Sequence, residues 1–226
     1  MVSACGGSDD TVSADADAEE SVSSAAPPED AVVSSDGDTA AESDGGATGV
    51  QENGPITVEG EALDPFDSSI DDLAIGKTAP LVSGESFDGT PISIGAPVAE
   101  GAAPASGNPT LVVFLAHWCP HCNDEIPELL ELDASGARPD DLDGVGVSTA
   151  VDPSGENYPP SEWIVEKGWP WPTMADDEEL TAIKAYGGTS FPFVVVLDGD
   201  GTVLARRAGS ATAEDTIEFL DTALGG

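Results

Sequence analysis

Two cysteines stand two residues apart in Phe114-Leu115-Ala116-His117-Trp118-Cys119-Pro120-His121-Cys122. One turn of helix brings such a pair of sulfurs within disulfide reach. The thiolate is the reactive form of cysteine, both as nucleophile and as metal ligand. Three chemistries are therefore open: reversible thiol–disulfide exchange, a permanent disulfide, and metal ligation with His117 and His121 added to the set. Zinc sites draw two ligand pairs from separate segments, and no second Cys/His group exists in the chain. Copper on the reduced thiols stays open as an alternative. A permanent bridge across so short a loop would stabilise little, because stabilisation grows with the length of loop closed.

Exchange needs one thiol held where negative charge is favoured, and the surrounding pattern supplies that place. The apolar run Leu111 to Leu115 reads as a buried strand entering the motif. Beyond it Ile126, Leu129, Leu130 and Leu132 recur at helical spacing, which predicts a helix from about Pro120 to Asp133. Cys119 then falls at the helix start, where unpaired N–H groups and the positive helix end favour an anion. Cys-x-x-Cys beside a strand–helix pattern is a redox signal. Pro127 inside the helix is expected to kink it.

The chain has 226 residues, 44 acidic and 6 basic, for a formal net charge of −38. Such a balance excludes nucleic acid as a partner, because its binders need Lys and Arg. It also excludes attraction to an anionic membrane by charge. No apolar run approaches the ~18 residues of a membrane span. Residues 1–62 are expected to be a disordered acidic tether: the first aromatic is Phe66 and the first basic residue is Lys77. A segment of that composition buries too little apolar surface to offset chain entropy.

One α/β domain is expected over 63–226, with its elements in the order of one mixed sheet flanked by helices. Phe87 to Ile94 reads as an N-terminal hairpin extension turning at Asp88-Gly89. Leu142–Thr149 reads as a strand. Helices are expected at 161–167 with Ser161 as N-cap, at 177–186, and at 212–224. Phe193–Leu197 and Thr202–Arg207 read as a hairpin around Asp198-Gly199-Asp200-Gly201, favoured over a calcium loop because the sixth-place Gly and closing Glu are missing. Gly168-Trp169-Pro170-Trp171-Pro172 reads as a packed connection rather than a substrate groove.

These motifs together resemble the TlpA/ResA-type membrane-tethered thiol–disulfide oxidoreductases of thioredoxin fold. The matching residues are Trp118-Cys119-x-x-Cys122-x-x-Glu125-x-Pro127, the Gly76 to Pro80 opening, Asp88-Gly89, Tyr186-Gly187 and Phe191-Pro192. The resemblance implies that Cys119 attacks, Cys122 resolves, and the two form the redox disulfide. It implies a cis-proline at Pro192 facing that disulfide, with Phe191 offering its backbone to a bound peptide and Trp118 beside the site. His121, by lending positive charge to Cys119, would favour the reduced form and so an oxidant. The architecture resembles a family of reductants, so direction is left open. Thioredoxins carry a buried carboxylate where this chain has Val113. Glu125 is a candidate substitute as proton acceptor, and an ordinary surface place on its helix is the favoured reading.

Val2-Ser3-Ala4-Cys5-Gly6 resembles a bacterial lipobox, which implies lipidation of Cys5 and a lipid anchor as the sole attachment to a membrane. Only four residues precede Cys5, short of the leader in that pattern. The expected function is thiol–disulfide exchange with protein thiols and disulfides outside the cytoplasm, as a monomer, fed by a redox partner there. No cofactor and no metal are expected. The alternative is a redox-inert surface protein of the same fold that binds copper or a partner.

Overall fold

The computed structural model describes residues 49–95 and 107–225. Cys5 and most of the acidic segment lie outside the described residues. So does the middle of the Gly/Ala/Pro-rich connection that precedes Thr110.

A central five-stranded sheet positions the motif. Its strands are β4 (Thr110–Leu115), β5 (Asp143–Ser148), β6 (Thr173–Ala175), β7 (Phe193–Leu197) and β8 (Val203–Ala208), in the order β6-β5-β4-β7-β8. β4 runs parallel to β5 and antiparallel to β7, and β7 and β8 form the expected hairpin. β4 is buried at every position, as its unbroken apolar run requires of a strand covered on both faces. Its side chains alternate between two cores. Leu111, Val113 and Leu115 face the helices α1 (Pro120–Ser135), α2 (Pro160–Glu166) and α4 (Ala213–Leu224). Val112 and Phe114 face the opposite layer.

That opposite layer holds the short helix α3 (Thr181–Ala185) and an antiparallel sheet of β1 (Thr57–Glu59), β2 (Leu81–Glu85) and β3 (Pro91–Ile94). The β2–β3 hairpin turns at Asp88-Gly89, where Gly89 takes φ 85° and Gly89 N–H donates to Ser86 O at 3.0 Å. β1 lies ahead of residue 63, where composition placed the start of the domain. Its pairing with β2 recruits chain that composition assigned to the tether.

Two local expectations are corrected. Ser161 is not the N-cap of α2; Pro159 is, and Pro160 occupies the first turn, where its missing N–H costs nothing. Ser161 instead donates through N and Oγ to the Glu52 carboxylate, at 2.9 and 2.6 Å. The helix expected over 177–186 is only α3. Leu180 sits at φ 61°, and the buried Asp176 carboxylate takes the Asp177, Ala182 and Ile183 amides, so the regular ladder begins only at Thr181. α1 runs unbroken through Pro127 to a left-handed Gly136 cap.

Trp169 and Trp171 pack edge to face at 4.7 Å between ring centres, and Arg138 lies 5.9 Å over the Trp171 ring. They also border an open groove of about 360 Å³ with Phe87, Ile164 and Val165, which includes neither cysteine of the motif.

Candidate active site

Leaving the C-terminal end of β4, the chain makes one tight turn before α1 begins. Cys119 is the N-cap of α1, in extended conformation, and its N–H donates to Ala116 O at 3.0 Å. Its carbonyl accepts from the N–H groups of Cys122 and Asn123, both at 3.1 Å. The turn thus aims the Cys119 sulfur off the free end of a sixteen-residue helix, where the backbone dipoles favour negative charge. Cys122 lies one turn in and is fully buried, while Cys119 retains 6% exposure. Both are free thiols.

The second wall comes from the loop before β7. The Phe191–Pro192 peptide is cis, as the resemblance implied. The Cys119 thiol donates to Phe191 O at 3.7 Å. Trp118 stands edge-on to Phe191 at 6.0 Å between ring centres, and its indole N–H donates to Ala150 O at 2.7 Å. The structure therefore brings together Trp118, Cys119, Cys122, Phe191 and Pro192 from two distant segments. His121 is exposed and makes no hydrogen bond among the described residues.

His117 belongs to the scaffold. It is fully buried, and its Nε2 accepts from Asp152 N–H at 3.1 Å. Its Nδ1 therefore carries the proton and donates to Glu156 O at 2.6 Å. With both nitrogens engaged, His117 is not free to join the thiols as a metal ligand, which removes one member of the cluster considered from sequence. Its carbonyl accepts from Asn123 and Asn157 amides at 3.1 and 2.9 Å. The residue before Trp118 thus fastens the 150–159 loop against the motif.

The surface role set against Glu125 is overturned. Glu125 is fully buried, three residues beyond Cys122 on the inner face of α1. It accepts from Arg207 Nη2 and from Ala211 N–H, both at 2.7 Å. Burial pushes its carboxyl above the ordinary glutamate range, and the Arg207 charge offsets only part of that. Burial also drives the Cys122 thiol far up, with the Glu125 charge adding to the effect. Cys122 therefore releases its proton only to a nearby base, and Glu125 is a carboxylate of raised basicity on the same helix face. Val113 supplies no such group. The clue to Glu125 lay in the sequence: its position falls on the stripe of Cys122, Ile126 and Leu129. Arg207 left no clue, because it meets Glu125 across 82 positions of sequence.

The chain is similar to known proteins along the domain that builds this site. A thiol:disulfide interchange protein, a DsbE homolog of Paracoccus denitrificans (strain Pd 1222), is 36% identical over 111 residues, covering 49% of this chain and 56% of that protein. The match thus spans little more than half of that relative's length. The thiol:disulfide interchange protein HelX of Rhodobacter capsulatus is 29% identical over 151 residues, 67% of this chain and 77% of its own. Among solved structures, a thiol:disulfide interchange protein of the thioredoxin family from Chlorobium tepidum TLS superposes with a TM-score of 0.50 at 27% identity, covering 69% of this chain and 100% of that one. The sheet order, the helix-capping cysteine and the cis Phe191–Pro192 peptide agree with that thioredoxin-like fold. The family model described as Redoxin matches residues 76–224, well over half of the chain, and the protein belongs to the Redoxin family.

Proposed function

We propose that the protein is a thiol–disulfide oxidoreductase acting on protein thiols and disulfides outside the cytoplasm, anchored by lipid on Cys5 through its acidic N-terminal segment. The single observation that carries this reading is the unequal burial of the two free thiols. Cys119 caps α1 and keeps an exposed edge, whereas Cys122 is sealed beneath it beside Glu125. Cys119 attacks a substrate disulfide and one substrate sulfur leaves. Cys122 gives its proton to Glu125 and attacks Cys119, and the second substrate sulfur leaves as the Cys119–Cys122 bond forms. The reverse sequence oxidises a substrate dithiol. A substrate backbone laid beside Phe191 as an added strand holds its sulfur in line.

The test is insulin-disulfide reduction and oxidative refolding of a reduced protein, with wild type and Cys119→Ser. Exchange by wild type and none by the variant is expected. No exchange in either assay, with tight copper binding by the dithiol, would overturn the reading in favour of an inert binding protein. The equilibrium potential against glutathione sets direction: about −120 mV makes an oxidant and about −270 mV a reductant. Intact mass of membrane-fraction protein tests the anchor, since a Cys5 without acyl mass removes it.

A further inference from the structure

β8 carries two adjacent arginines whose surroundings differ sharply. Arg206 faces the β1–β3 layer, and its donors are engaged: Nε and Nη2 on the Asp72 carboxylate, Nη1 on Asp64 O and Tyr186 O. It is a structural arginine, fully used as a fork of donors. Arg207 faces α1. Among the described residues its only side-chain hydrogen bond runs from Nη2 to Glu125, and its Nε and Nη1 are buried with no partner there. Its guanidinium lies 5.5 Å over the Phe219 ring of α4. Burying two unpaired donors is costly, and hydrogen bonding does not repay it. What Arg207 supplies at this place is charge, delivered to one carboxylate.

That carboxylate belongs to Glu125, three residues beyond Cys122 on the inner face of α1 and the base of the exchange reading above. We propose that Arg207 is a positioning residue for disulfide exchange, holding Glu125 ionised and turned so that it receives the Cys122 proton in the resolving step. The proposal rests on the exchange reading above. The balance is complete within the pair and its substrate. The proton moves from Cys122 sulfur to Glu125, and Cys122 sulfur bonds to Cys119 sulfur. The Cys119–substrate bond breaks with its electron pair on the substrate sulfur, which ends as a thiol when it is protonated. The substrate disulfide is the oxidant.

The groups facing Glu125 can be named from each side. Along α1 they are Cys122 and Glu128, whose negative charge works against ionisation. From β8 it is Arg207, and from the loop before α4 the Ala211 amide. Glu128 is turned to Ala213 N–H at 2.8 Å, and Asp215 of α4 is occupied with Thr212. Arg207 is thus the one cation bonded to Glu125 among the described residues. Without it, burial and Glu128 both oppose the charge, and the carboxyl binds a proton at higher pH.

The experiment is a single-turnover oxidation of the reduced full-length chain by oxidised glutathione. Release of the second glutathione reports the resolving step as a function of pH. For Arg207→Met the midpoint of that profile is expected to move up by at least about one pH unit, slowing the step roughly tenfold at pH values below the wild-type midpoint. Arg207→Lys is expected to return the midpoint toward wild type. The first step, read in a Cys122→Ser background, is expected not to move. A folded Arg207→Met whose profile coincides with wild type overturns the assignment. Should the Met variant not fold, the wild type still decides: the ¹³C carboxyl shift of Glu125 must titrate with the midpoint of the resolving step, and two separate midpoints overturn the proposal. A wild type that exchanges nothing with glutathione overturns the exchange reading itself, a result distinct from an unmoved profile.

Discussion

The Cys119 sulfur lies 3.7 Å from the carbonyl oxygen of Phe191, a residue 72 positions later in the chain. The contact joins the start of α1 to the loop entering β7, so the reacting atom sits beside backbone able to accept an added strand. The two cysteines should therefore fail in different ways. Cys119→Ser is expected to lose exchange to background. Cys122→Ser is expected to accumulate a mixed disulfide between Cys119 and its substrate. Intact mass under non-reducing conditions reads both, and an adduct on Cys122 in the Cys119→Ser protein would reverse the roles.

Asp72 and Arg206 give the fold an acid-sensitive tie. Burial alone would raise the Asp72 carboxyl, but the Arg206 guanidinium and the Ala74 N–H outweigh it and hold it below its ordinary value of 3.8. Folded Asp72 thus binds protons less readily than unfolded. Its stabilisation is complete above the ordinary value and is lost as pH falls through the lowered one. At pH 7, Asp72→Asn is expected to cost about 3–5 kcal/mol, because the Arg206 side chain is 1% exposed and loses its counter-charge. Urea melts at pH 3 and pH 5 should show a smaller acid loss for the variant than for wild type. Equal losses would refute the assignment.

His117 should be felt in the 150–159 loop. His117→Ala removes the acceptor for Asp152 N–H and the donor to Glu156 O. The expected cost is about 1–3 kcal/mol, with faster hydrogen exchange at the Asp152 amide as its local sign. Unchanged protection at that amide would mean that the loop is held by Asn157 and Trp118 without the imidazole.

Gly144 on β5 faces the Trp171 ring so closely that an added Cβ would lie 2.2 Å from Trp171 Cδ2. Gly144→Ala is expected to lose about 1–3 kcal/mol through overpacking. Pairing it with Trp171→Leu should recover part of that loss. A thermal melt of Gly144→Ala equal to wild type would show that Trp171 moves aside freely.

Much of this site was legible before any coordinates because its physics is local. A strand, a cysteine pair and an amphipathic helix fix the turn that aims Cys119, and the β7–β8 hairpin follows from Asp198 to Gly201. The failures were tertiary. Glu125 read as a surface charge because carboxylates are rarely fully buried, and only Arg207 and Ala211, more than 80 residues away in sequence, make its burial tolerable. His117 entered the metal alternative because imidazole binds metals. Its two backbone partners belong to a loop whose position no spacing rule predicts. The helix expected over 177–186 broke because Asp176 is held inside the fold, a fact of packing rather than of propensity.

The first described residues of the chain are laced to the β2–β3 turn, to α2 and to the far margin of the central sheet. Gln51 N–H donates to Phe87 O, Gly54 N–H to Asp176 O, and Glu52 accepts from Ser161. Asp176 follows directly on β6, the edge strand two places from the β4 strand that carries the motif. A pull applied along the N-terminal segment would meet these bonds at β6 and α2 before it reached Cys119. The arrangement is that of a cable clamped at its housing, with the clamp set away from the turn that holds Cys119.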